Sequence, residues 1–458
     1  MNYLKWLYPG MKLKRWLLLF SLGVIAASLG LAIVFNYKYI GVVEENIFKL
    51  FYRATGKYYY AVTTVAGTVI FVLGLAVMTF STRQIIRSVV SVLLPEGSDK
   101  LVEIIFQKRK LNRGPAVTVL GGGTGLSVLL RGIKSVTSNI TAIVTVADDG
   151  GSSGRIRNDL GIIPPGDLRS CLVALADTEP LMEKLFQHRF GGAGGLAGHS
   201  FGNLYIAAMT EVLGDVELAL KESSKVLAVR GQVLPSSAQT IRLAAEMADG
   251  SVVEGESQIP LAGKPIRRVF ITPENAPPVA SAIEAIENAD ACILGPGSLY
   301  TSVIPNLLVG GIADALRRTQ AVKIYICNVM TQPGETDGYT ASRHVRAIVD
   351  HVGPGLIDYV VLNGQEVAPG LQETYARQGA YPVVVDTEAV EAFGVKVVKA
   401  NLISETVLVR HDPVKLSQTI MEMVFRLKAS SERMKLLDYY LIADNIRELK
   451  NGDNGGRR

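Results

Sequence analysis

One stretch near residue 120 constrains the fold of this 458-residue chain more than any other. Residues 116–120 are apolar and mostly β-branched, which predicts a strand that is buried on both faces of a sheet. A glycine-rich turn follows, and apolar residues then recur at helical spacing at Leu126, Leu129, Leu130 and Ile133. A strand, a turn and a helix in this order indicate an α/β fold.

The turn is a candidate anion site and consists of Gly121, Gly122, Gly123, Thr124 and Gly125. A glycine turn that opens a helix directs free N–H groups and the positive helix end at one place, so we predict that a phosphate binds here. A tight turn without a ligand is the alternative, although four glycines exceed what a turn needs. Because Leu126 and Ser127 follow, the turn fits neither the dinucleotide fingerprint nor the Walker A motif nor the tubulin-type signature.

Two long segments without charged residues precede this region. Residues 16–35 and 60–80 each match the length of a membrane-spanning helix, and the first is too long for a signal peptide. They account for the balance of 48% apolar and 19% charged residues. Lysine and arginine are more abundant on the outer flanks of the two segments than between them, so we expect a two-span cell-membrane protein with both termini in the cytoplasm.

Composition limits the remaining choices. The net charge of +5 is modest and the basic residues cluster near the apolar segments, which does not indicate a nucleic-acid partner. The three scattered cysteines fit neither a disulfide framework nor a zinc site and favour a reducing compartment. We expect a membrane hairpin and basic linker over residues 1–111, a nucleotide-binding domain over 112–450 and a polar tail over 451–458.

The nucleotide-binding domain alternates predicted strands with predicted helices. This pattern indicates a Rossmann-like, doubly wound, mostly parallel sheet, with a small strand-rich insertion near residues 232–272. Late strands are predicted at residues 382–385 and 406–409, and terminal helices at residues 413–428 and 433–450.

Polar or glycine-rich loops follow four predicted strands, beginning at Gly121, Asp148, Gly295 and Asn328. Ligands bind at the carboxyl ends of parallel strands, so we expect these loops to form one site. Asp148 and Asp149 are neighbours at a strand end and should point to opposite sides, so that one meets a ligand or magnesium while the other braces the loop. A solvated turn is the alternative for Asp149.

Other candidates for the same site come from these loops and from later segments. The loop candidates are Gly150, Gly151, Ser152, Ser153, Gly297, Ser298 and Thr331. Asn203 lies in the first turn of a predicted helix, where its amide would reach a phosphate. Arg410 follows an apolar segment and would meet a diphosphate, and Tyr375 would stack on a base; a surface position is the alternative for both.

Six ordered motifs within residues 115–425 carry a family resemblance. They occupy residues 121–127, 146–154, 164–167, 198–203, 295–306 and 330–339. Together they resemble the YvcK/CofD-like family, and the second and last motifs resemble its YvcK branch. The membrane hairpin lies outside the resemblance.

The resemblance implies a choice between two functions. CofD transfers a phospholactyl group from a guanosine diphosphate carrier to a deazaflavin alcohol with magnesium. The YvcK branch binds nucleotide sugars such as UDP-N-acetylglucosamine and supports cell shape and gluconeogenic growth, with no assigned reaction. We therefore expect a membrane-tethered regulatory factor that binds a nucleotide sugar, with a magnesium-dependent transferase as the alternative and a homo-oligomer as a further expectation.

The family pattern also assigns roles to residues. The glycine turn and Asn203 would hold phosphate, and residues 295–298 and 328–331 would form walls of the site. Asp148 and Asp149 would lie at its centre, as the catalytic pair if the protein is a transferase. Asp148 is the candidate magnesium ligand.

Overall fold

The computed structural model describes residues 14–34, 61–93, 108–177, 180–404 and 409–430, with a few positions between 45 and 56. It divides into two compact units, Met1–Gln107 and Lys108–Arg458, close to the expected boundary at residue 112. The predicted helix at 433–450, the tail at 451–458 and most of the predicted strand at 406–409 lie outside the described residues.

The described part of the first unit consists mainly of two long helices. They are α1 (Lys14–Val34) and α2 (Ala61–Leu93). Their stretches Arg15–Val34 and Thr64–Ser88 have mean hydropathies of 2.6 and 2.0 and are long and apolar enough to cross a membrane. The second helix continues well beyond residue 80, where its predicted span ended.

Small residues allow α1 and α2 to pack closely. A Cβ atom added at Gly74 would lie 2.8 Å from the Cα atom of Ala27, and one added at Gly30 would meet the backbone of Phe71. Near one end of the pair, the rings of Trp16 and Phe80 make an edge contact with centroids 5.7 Å apart. Glycine at helix contacts is typical of apolar helix pairs, whose association depends on close van der Waals packing.

The second unit contains ten strands within the described residues. They are β1 (Val117–Gly121), β2 (Ile140–Val144), β3 (Gln232–Pro235), β4 (Arg242–Met247), β5 (Val252–Glu254), β6 (Ile266–Thr272), β7 (Ala291–Leu294), β8 (Val322–Ile326), β9 (Tyr359–Asn363) and β10 (Lys396–Ala400). Its helices follow in chain order. They are α3 (Gly123–Ile133), α4 (Gly151–Leu160), α5 (Gly166–Leu175), α6 (Pro180–Gln187), α7 (Phe201–Leu213), α8 (Val216–Val226), α9 (Ala280–Glu287), α10 (Ile304–Leu308), α11 (Ile312–Arg318), α12 (Ala341–Val352), α13 (Pro369–Ala376), α14 (Thr387–Glu391) and α15 (Pro413–Ser430).

Seven strands form one parallel sheet in the order β10-β9-β8-β7-β1-β2-β3. The chain moves outward from β1 through β2 and β3 on one side, and later from β7 to β10 on the other. The strand order therefore reverses between β1 and β7. This arrangement confirms the predicted doubly wound, mostly parallel α/β fold.

Burial explains why the opening stretch forms the centre of the sheet. All five residues of β1 are buried, as expected for a strand with neighbours on both sides and helices above and below. The four periodic residues of α3, Leu126, Leu129, Leu130 and Ile133, have no exposed surface. Each such side chain contributes about 1.5–3 kcal/mol by leaving water, so α3 is fixed on the sheet by one apolar face.

Three local predictions differ from the structure. The strand-rich insertion is the antiparallel sheet β5-β4-β6, so it starts at Arg242, because residues 232–235 pair with β2 instead. The strand predicted at residues 382–385 is wrong: Pro382 and Val384 make only isolated bridges. The edge strand β10 was missed, because its two lysines are exposed and its valines are only partly buried.

Candidate functional site

The candidate site lies where the strand order reverses. Leu120 of β1 pairs with Leu294 of β7, so the loops that follow these strands leave the sheet side by side. Such a reversal opens a crevice at the carboxyl edge of an α/β sheet, and ligands bind there. A cavity of about 610 Å³ occupies this position, and its size is typical of a small-molecule site.

Eleven predicted site residues line this cavity. They are Gly122, Gly123, Thr124, Gly125, Asp148, Gly297, Ser298, Asn328, Thr331, Tyr375 and Arg410. The four predicted loops therefore converge as expected from the parallel sheet. The other predicted site residues are not among the lining residues: they are Gly121, Asp149, Gly150, Gly151, Ser152, Ser153, Asn203 and Gly295. Contact of any of these residues with a ligand stays a prediction.

Backbone conformation and close packing explain why most residues of the turn are glycine. Gly123 has a φ of +66°, which favours glycine. A Cβ atom at Gly122 would lie 2.6 Å from the Oδ2 atom of Asp167, and one at Gly125 would lie 2.7 Å from the carbonyl oxygen of Pro296. Backbone conformation and packing within the protein thus require three of the four glycines. The number of glycines is therefore weaker evidence that a phosphate binds the turn.

An aspartate from another helix already contacts the turn. Gly123 N–H donates a 2.7 Å hydrogen bond to Asp167 Oδ2. Asp167 lies in the first turn of α5, where the helix dipole favours a carboxylate. Burial, together with the charge of Asp148, nevertheless raises the pKa of the Asp167 carboxyl to about 6, against the opposing hydrogen bond from Gly123.

Asp148, Asp167 and Glu256 form the acidic wall of the cavity. Glu256 comes from the loop after β5, in the antiparallel insertion. Burial and then the charges of Asp148 and Asp167 raise the pKa of the Glu256 carboxyl to about 9. Ionising all three carboxyl groups of this wall near neutral pH would therefore cost free energy.

Asp149 is not among the lining residues, and it lies with Asp148 in the loop beyond the end of β2 at Val144. Its Oδ1 atom accepts a 2.9 Å hydrogen bond from Ser257 N–H, next to Glu256. Asp148 instead lines the cavity while its Oδ1 atom accepts from Gly150 N–H at 2.9 Å. One aspartate thus faces the site and the other fixes the loop that carries Glu256.

A polar wall links the loops after β7 and β8. Asn328 Nδ2 donates to the carbonyl oxygen of Gly297 at 2.9 Å and to Gln332 Oε1 at 3.0 Å, and Gln332 Nε2 donates to Ser298 Oγ at 2.7 Å. Behind this wall, the carboxyl group of Glu335 is buried, and burial raises its pKa to about 7. The amides hold the two loops at a fixed separation.

The other end of the cavity is apolar. Tyr375 packs against a small cluster that includes Val329, Met330 and Val409, all of which line the cavity. Its hydroxyl oxygen accepts a 3.0 Å hydrogen bond from Val409 N–H, which fixes the ring. Arg410 also lines the cavity and is exposed, and contact of Arg410 or Tyr375 with a ligand stays a prediction.

A separate polar cluster holds the other predicted phosphate ligand. Asn203 is buried, and its Nδ2 atom donates to Ser152 Oγ at 3.2 Å. The Nδ1 atom of His199 also lies 3.2 Å from Ser152 Oγ. Asn203 and Ser152 thus join the starts of α7 and α4.

Several lining residues were not predicted individually. They are Asp167, Glu256, Ser302, Gln332 and His411. The motifs at residues 164–167, 295–306 and 330–339 contained three of them, so motif membership was a usable signal. No feature of the sequence around Glu256 indicated a site.

The donor atoms fit magnesium only in a limited way. Among the described residues, no three His, Cys, Asp or Glu side chains lie close enough together to hold a metal ion. Asp148 and Asp167 nevertheless offer two carboxylates to one cavity. Magnesium commonly takes one or two carboxylates and completes its coordination with water and phosphate oxygens, so these residues fit an ion that arrives with a nucleotide.

Comparison with known proteins follows the same division of the chain. Residues 117–403 match the model of the family described as 2-phospho-L-lactate transferase CofD. A gluconeogenesis factor from Bacillus subtilis is 50% identical over 315 residues, which cover 69% of this chain and 99% of that protein. A Clostridium acetobutylicum protein, provisionally named gluconeogenesis factor, is 43% identical over 460 residues and covers 98% of both chains. Its similarity therefore includes the N-terminal unit.

A solved structure agrees with the fold of the second unit. It is a Bacillus halodurans protein described as a member of the UPF0052 family, and it is 55% identical to this chain. The TM-score is 0.66, and the match covers 67% of this chain and 99% of that one. The extent of the family match and the identity to the relatives establish the relationship, and the chain belongs to the CofD/YvcK-like family.

Proposed function

We propose that this protein binds a nucleotide sugar, such as UDP-N-acetylglucosamine, in the switch-point cavity and acts as a regulatory factor for cell morphogenesis and gluconeogenic growth. One observation carries the proposal: a helix N-terminus, a polar amide wall and an aromatic apolar end share a single cavity of about 610 Å³. A nucleotide sugar needs these three environments, for its diphosphate, its hydroxyl groups and its base. The name gluconeogenesis factor, carried by relatives, supports the physiological part.

The lining residues suggest how the ligand lies. The Thr124 and Gly125 N–H groups, in the first turn of α3, would donate to a phosphate oxygen, and Arg410 would pair with the diphosphate. Tyr375 would stack on the base at the apolar end. Asp148 and the Asn328–Gln332 pair would then contact sugar hydroxyls. A magnesium ion, if bound, would neutralise the diphosphate beside Asp148 and Asp167.

A transferase is the second candidate, and one observation favours it. The Asp167 carboxyl faces the cavity with a pKa near 6, which suits a group that accepts a proton near neutral pH. The description of the matching family names such an activity. We favour binding without turnover because the two motifs that distinguish the branches resemble the branch that has no assigned reaction.

We further propose that α1 and α2 tether the protein to the cell membrane with both termini in the cytoplasm. Leu18, Ile25, Val72 and Leu73 are more than half exposed on these helices, which suits contact with lipid. The basic flanks of the two helices support the orientation. A homo-oligomer stays a prediction.

Calorimetric titration of the full-length protein in detergent tests the ligand. We expect UDP-N-acetylglucosamine to bind more tightly than uridine, and Tyr375→Ala to weaken its binding by about tenfold, as for loss of a stacked base. Tyr381→Ala is the matched control, because its side chain is exposed and does not line the cavity. Absence of binding by every UDP-sugar would refute the proposal.

The same preparation distinguishes the second candidate. It is incubated with a nucleotide-linked phosphoacid, magnesium and a deazaflavin alcohol, and products are followed by mass spectrometry. A new phosphodiester that disappears in Asp148→Asn would establish a transferase. Binding without product would support the regulatory function.

A further inference from the structure

The turn after β1 is not open to a phosphate on all sides, because Asp167 occupies part of it. Asp167 Oδ2 accepts the hydrogen bond from Gly123 N–H at 2.7 Å. This N–H belongs to the first turn of α3, which makes it one of the donors that a bound phosphate would use. The carboxylate therefore has the position and charge sign of a ligand oxygen.

The packing around the turn leaves room for this carboxylate. The room depends on glycine at position 122, since a Cβ atom there would lie 2.6 Å from Asp167 Oδ2. Asp167 itself is held by α5, whose Gly166–Leu175 segment is mostly buried. The nearest cation of α5, Arg169, donates instead to Ser200 Oγ at 2.6 Å and to Ser170 Oγ at 3.2 Å. The contact between Asp167 and the turn is thus fixed by the packing of the fold.

We infer that Asp167 competes with a ligand phosphate for the Gly123 N–H group, so that a phosphate binds the turn by displacing a carboxylate of the protein itself. The inference rests on the proposed function, because it concerns the diphosphate of the same ligand. It predicts a selectivity: inorganic phosphate gains too few contacts to displace Asp167. A nucleoside diphosphate also gains contacts at the apolar end of the cavity, near Tyr375.

The neighbouring charges make the competition strong. A phosphate beside Gly123 would meet the Asp148 carboxylate as well as that of Asp167, since both line the same cavity. Removing the Asp167 charge while keeping an acceptor removes both the repulsion and the charge-assisted hydrogen bond. Asn supplies such an acceptor in nearly the same volume.

The test compares UDP with uridine on the full-length protein in detergent, by calorimetric titration with EDTA present so that no divalent cation masks the charge. We expect Asp167→Asn to tighten UDP binding by about tenfold and to change uridine binding by less than about twofold, because uridine has no phosphate. Glu254→Gln is the matched control. It removes one exposed charge from the same insertion that carries Glu256, does not line the cavity, and should leave both affinities unchanged.

Each result separates this inference from the proposed function. If the natural protein binds UDP and Asp167→Asn binds it equally or more weakly, the competition does not exist and the proposed function stands. Equal tightening of uridine would also overturn the inference, because the effect would then not act on phosphate. If the natural protein binds no UDP or UDP-sugar either in EDTA or with magnesium, the proposed function fails first. Asp167→Ser, which also lacks the charge, replaces the Asn variant if circular dichroism shows that the latter is unfolded.

Discussion

The buried carboxyl group of Glu335 should make the stability of the second unit depend on pH. Its Oε1 atom accepts from Thr301 Oγ1 at 3.4 Å, and its Oε2 atom has no hydrogen-bond partner within the described residues. Burial raises the pKa of this carboxyl group from 4.5 to about 7, although neighbouring donors such as the Thr301 hydroxyl oppose the rise. Between these values the folded chain retains a proton that the unfolded chain has released. The stability contributed by this group therefore falls as the pH rises from about 4.5 to 7.

The change in the free energy of unfolding follows from the difference between the two pKa values of Glu335. At about 1.36 kcal/mol for each pH unit, the rise from 4.5 to about 7 amounts to about 3 kcal/mol. Glu335→Gln removes the titration. It also leaves an amide donor near the position of Oε2, which costs about 1–3 kcal/mol at every pH. We therefore expect the free energy of unfolding of the variant, relative to the natural protein, to increase by about 3 kcal/mol from acid to alkaline pH.

The assay is urea unfolding of the full-length protein in detergent, followed by far-ultraviolet circular dichroism at about pH 4.5 and about pH 8. The difference between variant and natural protein removes the contributions of all other groups. Glu373→Gln is the control, since Glu373 is exposed on α13, and its difference should be the same at both pH values. A Glu335→Gln difference that does not change with pH would show that the carboxyl is already ionised in the folded protein.

Three further predictions concern other parts of the molecule. Burial lowers the pKa of His411 from 6.5 to about 4, so between these values the unfolded chain binds a proton that the folded chain does not. Stability is therefore lost as the pH falls through this interval, and His411→Gln should reduce acid unfolding in the same urea assay. Leu129→Ala should lower the free energy of unfolding by about 2–5 kcal/mol, because the Leu129 side chain on α3 is fully buried. Val212→Ala, at an exposed position, is the control and should change the free energy of unfolding by less than about 0.5 kcal/mol. Gly74→Leu should separate α1 from α2 and so lower the SDS concentration at which the helix pair unfolds. Tryptophan fluorescence reports this unfolding, because both tryptophans lie in the first unit. Ser28→Leu, on the exposed face of α1, is the control and should not change that SDS concentration.

The sequence predicted best the elements that local periodicity determines. Leu126, Leu129 and Leu130 identified α3 because their spacing defines one apolar face, and the β-branched run before them identified β1. The convergence of four loops followed from the parallel sheet alone. Since strand order is not encoded in periodicity, the sequence could not place the reversal between β1 and β7.

Long-range contacts were the part that periodicity could not reveal. Asp167 and Gly123 are 44 residues apart, and only the fold brings a carboxylate to the turn. Glu256 reaches the cavity from an insertion whose sequence reads as a surface hairpin. The strand predicted at 382–385 failed for a related reason, since apolar residues there pack beside residues 330–340 through isolated bridges and not through a ladder.

The central position of β1 has a consequence for the order in which the protein is made. The Ala116 N–H group donates to the Asp290 carboxylate 174 residues later, at the start of the β1–β7 pair. At typical synthesis rates β1 waits roughly 10–35 s for that partner, with one edge unpaired, after α1 and α2 have already left the ribosome. The cavity is not complete until the chain has been made as far as His411, the last residue that lines it. A nucleotide sugar that binds there would therefore stabilise only nearly complete chains and would give no help to the nascent half-sheet.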